Sequence, residues 1–203
     1  MPDHAGRVIA GRAAGRRLLA PGPGTRPLTD RVKQTLFAIL EPDLPGARFL
    51  DLCAGTGAGA IEALSRGASG AVLVEQDGRA CRTIAENLAA TGLAGPTVTV
   101  VRAEALSWLA AAVRSPLRGA ADGRFDLVLL DPPYEDEHLL TGLLELLGGG
   151  PAGGLLGTAA LVVAKHFWRA VPPARIGLLR SVRERRFGET TLTFYRRAGT
   201  EDE

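Results

Sequence analysis

Phe49-Leu50-Asp51-Leu52-Cys53-Ala54-Gly55-Thr56-Gly57 opens the α/β pattern of this chain. A short apolar run breaks into a glycine turn, and residues 57 to 67 then carry helical spacing up to Gly67, the pattern of a strand feeding a helix. Downstream the alternation continues. Strands are expected at 71–75, 98–101, 125–130 and 159–164, and helices at 79–88, 104–113 and 135–147, with a glycine-rich loop over 148–157. Such alternation implies an α/β chain with a mostly parallel sheet and helices on both faces. Apolar alternation at 176–179 and 191–195 predicts a closing antiparallel hairpin, which brings the expected sheet to seven strands. Upstream, residues 7–19 read as a small basic β-hairpin, and Ala20-Pro21-Gly22-Pro23-Gly24 as a linker. Thr29 or Asp30 caps a helix over 30–41 whose apolar face is Val32, Leu36, Phe37, Ile39 and Leu40, with Pro42 ending it. The expected organisation is one domain: hairpin and linker at 1–27, core at 28–197, and an acidic tail at 198–203.

Composition narrows the function classes. No run approaches the roughly 18 uncharged apolar residues of a membrane span, and Met1-Pro2-Asp3-His4 lacks a signal-peptide core, so a cytoplasmic protein is expected. Cys53 and Cys81 have no metal-ligand spacing, and His4, His138 and His166 are scattered, which argues against a structural metal. The two histidines beyond the N-terminus are expected at the surface. Net charge is only +2, but it is unevenly placed: residues 1–35 hold seven Arg/Lys against two acids, 165–197 nine against two, and 36–164 eight against fifteen. Basic ends around an acidic middle point to a polyanion bound by the termini.

The strand ends carry the chemistry. In an open parallel sheet ligands bind beyond the carboxyl ends of the strands. After the first core strand, Gly55 and Gly57 let backbone approach a ligand; Glu75, ending the second, suits a ribose diol; Glu104, after the third, suits an adenine amino group, with Ala103 leaving room for the ring. Gly55-x-Gly57-x-x-Ala60 also meets the loose dinucleotide fingerprint, a weak signal by itself. Against a dinucleotide stand Asp51, an acid better suited to an ammonium tail than to a pyrophosphate, and the stretch Asp131-Pro132-Pro133-Tyr134, for which hydride transfer has no use. S-adenosylmethionine needs an acid for its ammonium and another for its ribose, which Asp51 and Glu75 provide. At the fourth strand end the two prolines stiffen the backbone and set carbonyl directions. Asp131 and the Pro132 carbonyl then form acceptors for a planar group bearing NH2, and Tyr134 offers a ring to stack on it. Cys53 reads as packing rather than as a nucleophile, as does Trp108; Trp168, beside Arg169 in an expected loop, is open between packing and a base platform.

These residues resemble the class I, Rossmann-like S-adenosylmethionine-dependent methyltransferases that modify exocyclic amines. More narrowly, Arg7-Val8-Ile9-Ala10-Gly11, the run Arg26 to Phe37, Glu62 to Ala68 and the closing Arg186 to Tyr195 are similar to the RsmD family of bacterial 16S ribosomal RNA guanine-N2 methyltransferases. The four-residue amine motif is shared with DNA adenine methyltransferases, whereas the N-terminal Arg-Pro-x-Thr-Asp-Arg run is the narrower signal. The resemblance implies cofactor contacts from Asp51, Cys53, Ala54, Gly55, Gly57, Glu75, Gln76, Ala103 and Glu104, and catalytic contacts from Asp131, Pro132, Pro133 and Tyr134. RNA contacts are expected from Arg7, Arg12, Arg26, Thr29, Arg31 and Lys33, the partner being 16S rRNA in the 30S subunit or an assembly intermediate, met by a monomer. Two departures stand out: Gly59-Ala60 replaces a usual leucine-glycine, and Lys165 stands after the fifth strand where relatives tend to have glutamate, which bears on the target-side contacts of Lys165 and His166. The same chemistry on DNA adenine or another RNA, or a non-catalytic RNA-binding assembly factor, are the alternatives.

Overall fold

The computed structural model describes residues 4–20, 22, 28–114, 124–149 and 155–197. The chain divides into two compact units, Met1–Glu104 and Ala105–Glu203.

In the first unit β1 (His4–Arg7) and β2 (Arg17–Leu19) form the expected antiparallel hairpin, with a longer connection than the sequence implied. Helix α1 (Asp30–Leu40) starts where the Thr29 hydroxyl accepts from the Val32 amide, and Val32, Leu36, Phe37 and Leu40 are buried as the helical spacing requires. Lys33 is buried with them, and Ile39 only half so. Then β3 (Arg48–Leu52), α2 (Ala58–Ser65), β4 (Gly70–Glu75), α3 (Gly78–Thr91) and β5 (Val98–Arg102) follow in the expected order. The three strands are parallel in the order β5-β4-β3, with Asp51 opposite Leu73 and Glu75 opposite Arg102. Parallel pairing brings the carboxyl ends of all three strands to one edge.

The hairpin is bolted to this sheet layer by polar groups that the apolar pattern does not reveal. The Glu62 carboxylate, 1% exposed, accepts from the Ile9 and Ala10 amides at 2.7 and 3.0 Å. Ser65 accepts from the Ala13 amide at 3.0 Å and donates to the Ala10 carbonyl at 2.6 Å, while fully buried Asn87 pairs with both backbone groups of Leu19. Gly11 has φ +83°, and a Cβ there would lie 2.0 Å from the Ser65 carbonyl oxygen, so only glycine fits the crossing.

The second unit runs α4 (Ala105–Arg114), β6 (Phe125–Leu130), α5 (Glu137–Gly148), β7 (Leu156–Phe167), β8 (Arg175–Ile176), β9 (Leu179–Phe187) and β10 (Thr190–Arg197). Strands β6 and β7 pair in parallel, and β10 lies antiparallel between β7 and β9. Two expectations are corrected here. The strand expected at 176–179 resolves into β8 and the start of β9 with a turn at Gly177-Leu178, and the true partner of β10 is the arginine-rich 179–187. That strand was illegible because most of its side chains face solvent, and strand periodicity shows only where one face is buried. Likewise β7 extends to Phe167, placing Lys165 and His166 inside the strand rather than after it. Among the described residues no helix is long and apolar enough to cross a membrane, and no group of His, Cys, Asp or Glu could hold a metal. The acidic tail and most of the expected linker lie outside the described residues.

Candidate active site

In the first unit, the turn after β3 holds three left-handed residues within five: Cys53 at φ +66°, Gly55 at +55° and Gly57 at +75°. The glycines follow from the sequence, but Cys53 does not, because a Cβ in this region costs about 1–2 kcal/mol and only packing holds it there. The turn is fastened from both sides. The Ala54 amide donates to the Val74 carbonyl at 3.0 Å, and the Gly55 amide donates to Glu75 Oε2 at 2.8 Å. The other Glu75 oxygen accepts from the Asp77 amide at 2.9 Å, which leaves each oxygen a further lone pair for a hydroxyl. Asp51 is 2% exposed, and its Oδ2 accepts from the Ala60 amide at 3.0 Å. It thereby caps α2, a task for which Gly57 has no side chain. Asp51 is thus first a support of the turn, not an exposed acid. Gln76 and Glu104 are exposed and Ala103 half-buried, its amide donating to the Glu75 carbonyl at 3.0 Å.

In the second unit, β6 ends at Leu130, opposite Ala164 of β7, so the next residues of each strand, Asp131 and Lys165, meet side by side. The Lys165 ammonium donates to Asp131 Oδ1 and lies 4.8 Å from the centre of the Tyr134 ring. The Tyr134 hydroxyl and Thr190 Oγ1 are 2.5 Å apart, which pins the ring to β10. Pro132 is buried, and the Pro133 carbonyl accepts from the Asp136 amide at 3.0 Å, closing the turn into α5. Burial pushes the Asp131 carboxyl above the ordinary aspartate range, against the pull of the neighbouring ammonium. For Lys165 burial works downward, but Asp131 and Tyr134 outweigh it and raise the ammonium above its usual value. Beside this corner is a cavity of about 270 Å³, at the small end for ligand pockets, walled by Pro132, Tyr134, Lys165, Phe167 and Arg169 among others.

His166, expected at the surface, is 3% exposed; its ring nitrogens lie 2.9 Å from Thr193 Oγ1 and from the Phe167 carbonyl, so it is a satisfied interior group. Exposed His138 matches expectation. Among the expected RNA contacts, Arg7, Arg12 and Arg31 are exposed, Thr29 is spent as a helix cap, and Arg26 lies outside the described residues. Lys33 is corrected: it is fully buried, its ammonium donating to the Arg7 carbonyl and 3.5 Å from Asp30 Oδ1, and burial lowers it from the usual lysine range. A side chain held this way has no reach to phosphate.

A family model described as conserved hypothetical protein 95 matches residues 6–196. Over 203 aligned residues the chain is 36% identical to the ribosomal RNA small subunit methyltransferase D of Escherichia coli strain K12, covering 97% of this chain and 94% of that one. The chain belongs to the RsmD family. Within reach of it, YlbH of Bacillus subtilis is 35% identical, covering 95% of this chain and all of that one. The solved structure of yhhF from Escherichia coli superposes with a TM-score of 0.79 at 32% identity, covering 97% and 99% of the two chains. A SAM-dependent methyltransferase of Agrobacterium tumefaciens superposes at 0.64 with 16% identity, covering 90% of this chain and 67% of that one, a likeness of fold alone. The RsmD chain described here therefore has the Rossmann-like methyltransferase fold that its sequence motifs implied.

Proposed function

We propose that this RsmD-family protein is a cytoplasmic, monomeric S-adenosylmethionine-dependent methyltransferase acting on the exocyclic N2 amine of a guanine in 16S rRNA, within the small subunit or an assembly intermediate. The reading rests on one observation above the others. The Lys165 ammonium joins the Asp131 carboxylate to the Tyr134 ring, and Pro132, Tyr134 and Lys165 wall a cavity of about 270 Å³. The name carried by the Escherichia coli relative directs it to small-subunit rRNA.

The first unit fits the cofactor: a glycine turn with open backbone, and Glu75 with lone pairs left for hydroxyls. Gly55, Gly57 and the Glu75 carboxylate would hold it, with Ala103 and Glu104 at the adenine end and the turn supported by Asp51. Bound S-adenosylmethionine supplies an electrophilic sulfonium methyl. The protein's own residues do the rest by placement. Asp131 accepts one amine hydrogen, the Pro132 carbonyl a second, and the nitrogen lone pair is left unobstructed. Tyr134 has Lys165 over its ring, and the ring's remaining surface stacks on the base. Lys165 pulls the Asp131 carboxyl toward its ionised, accepting form, against the larger upward push of burial. Placement of two reactants in this way is worth about 7–11 kcal/mol at best.

Incubation of labelled S-adenosylmethionine with small subunits lacking the modification should label 16S rRNA, with Asp131→Ala as control. Labelling of naked DNA in preference to subunits, or undiminished labelling by Asp131→Ala, would overturn the reading.

A further inference from the structure

A ladder of rings and cations runs from the Asp131 corner out to the surface of the second unit. Lys165 lies over Tyr134; Tyr134 and Phe167 have ring centres 6.3 Å apart, and Phe167 and Trp168 6.1 Å. At its outer end two guanidiniums lie over the same indole: Arg169 at 4.7 Å from the ring centre and Arg186 at 3.9 Å. Gathering two cations on one ring opposes their mutual repulsion. Among the described residues, no carboxylate lies within 4.0 Å of either, although exposed Glu184 and Glu189 are near in sequence. Stacking on a ring occupies the flat face of a guanidinium and leaves the N–H groups at its edge to donate.

The arrangement is braced. Arg186 Nε donates to the Gly188 carbonyl at 2.9 Å, and no hydrogen bond from its two terminal nitrogens is found among the described residues. The Trp168 amide donates to the Glu189 carbonyl at 3.0 Å, tying the turn after β7 to the turn between β9 and β10. The next residue, Thr190, holds the Tyr134 hydroxyl. Arg169 also walls the cavity beside Asp131. A fork of planar donors with no ion-pair partner within 4.0 Å among the described residues, built next to a cavity of about 270 Å³, matches a phosphodiester oxygen pair.

We propose that Arg169 and Arg186, braced on Trp168, form a phosphodiester clamp for a nucleotide adjoining the base held at the Asp131 corner. The proposal rests on the RNA-methyltransferase reading and adds to it a second RNA contact region, formed by the turns after β7 and β9, besides the N-terminal arginines. Trp168 acts here as the brace for two arginines, not as a platform for a base.

The test has two readouts. Affinity for a fluorescently labelled single-stranded RNA of about ten nucleotides is measured by anisotropy across a salt series for wild type, Arg169→Ala, Arg186→Ala and Arg186→Lys. Each alanine variant should bind several-fold more weakly and lower the salt slope by about 0.7, the value for one phosphate contact on single strands. Arg186→Lys should keep most of the slope while losing affinity, because charge remains and the stacked fork does not. With small subunits as substrate the alanine variants should raise KM several-fold with kcat within about twofold, whereas Asp131→Ala removes kcat. Unchanged RNA affinity and salt slope in both alanine variants, with thermal melts like wild type, would overturn the clamp whether or not the protein methylates subunits. Failure of wild type to methylate any RNA would sink the functional reading instead, and the anisotropy series would still decide the clamp.

Discussion

Asp131 and Lys165 are paired where their side chains are only 15% and 10% exposed, and Tyr134 adds to the pull of Asp131 on the lysine. Burial drives the Asp131 carboxyl up, and a protonated carboxyl would donate a hydrogen where an acceptor is needed. Lys165→Met should therefore give a kcat that is lowest at acid pH and recovers as pH rises through the further-raised Asp131 value, while wild type stays flatter; matching pH profiles would contradict this role. A second consequence concerns stability. The folded-state value of Lys165 is raised, so its contribution is complete below the unfolded value of 10.5 and is lost as pH rises through the folded one. Tyr195, pushed up to about 12 mainly by burial, loses its proton in the unfolded chain first, so stability falls further between pH 10 and 12. Urea denaturation of wild type and Lys165→Met should accordingly differ at neutral pH and converge in strong alkali. The sequence marked Asp131 through its prolines. Lys165 carried no such mark, since only the β6–β7 register sets it beside Asp131.

At the scale of elements, the N-terminal hairpin and the α2 turn show how buried polar groups decide position. Glu62 serves two amides of the hairpin and also Arg66, whose Nε donates to it at 2.8 Å. Glu62→Ala leaves two part-buried amides and the Arg66 Nε without this acceptor and should destabilise by about 1–3 kcal/mol, with earlier proteolytic cutting in the hairpin. Asp51→Ala removes the acceptor for the first turn of α2 and should destabilise by about 1–2 kcal/mol in chemical denaturation, weakening S-adenosylmethionine binding through the loosened turn. Glu75→Gln turns one of the two accepting oxygens into a donor facing the Gly55 or Asp77 amide, so calorimetry should record weaker cofactor binding together with a lowered melting temperature. Periodicity made the strands and helices of the first unit legible to within a few residues, because β3 and β4 are buried on both sides and α1 and α3 on one. It missed β9, whose exposed arginines show no apolar alternation, and the end of β7, where Lys165 and His166 are polar residues with interior partners.

For the molecule as a whole, charge is the property that the chain displays most openly, and it leads to a quantitative expectation. Exposed Arg7, Arg12 and Arg31 in the first unit, with Arg169 and Arg186 in the second, make five candidate phosphate contacts. Each contact to single-stranded RNA adds about 0.7 to the magnitude of the log-log salt slope, so the three in the first unit predict about −2.1 and the two in the second about −1.4. A slope near zero would remove RNA as the partner. The alternation of strands and helices from β3 to α5, the glycine turn, the proline corner and the basic ends were determined by sequence alone, since each depends on local backbone limits or on a residue count. Tertiary structure alone decided that Lys33 lies buried, that Lys165 clasps Asp131, that Cys53 takes a left-handed backbone and that two arginines share one indole. Each of these depends on what a distant segment brings alongside, because a charge or a strained dihedral persists in a protein only where its neighbours compensate it.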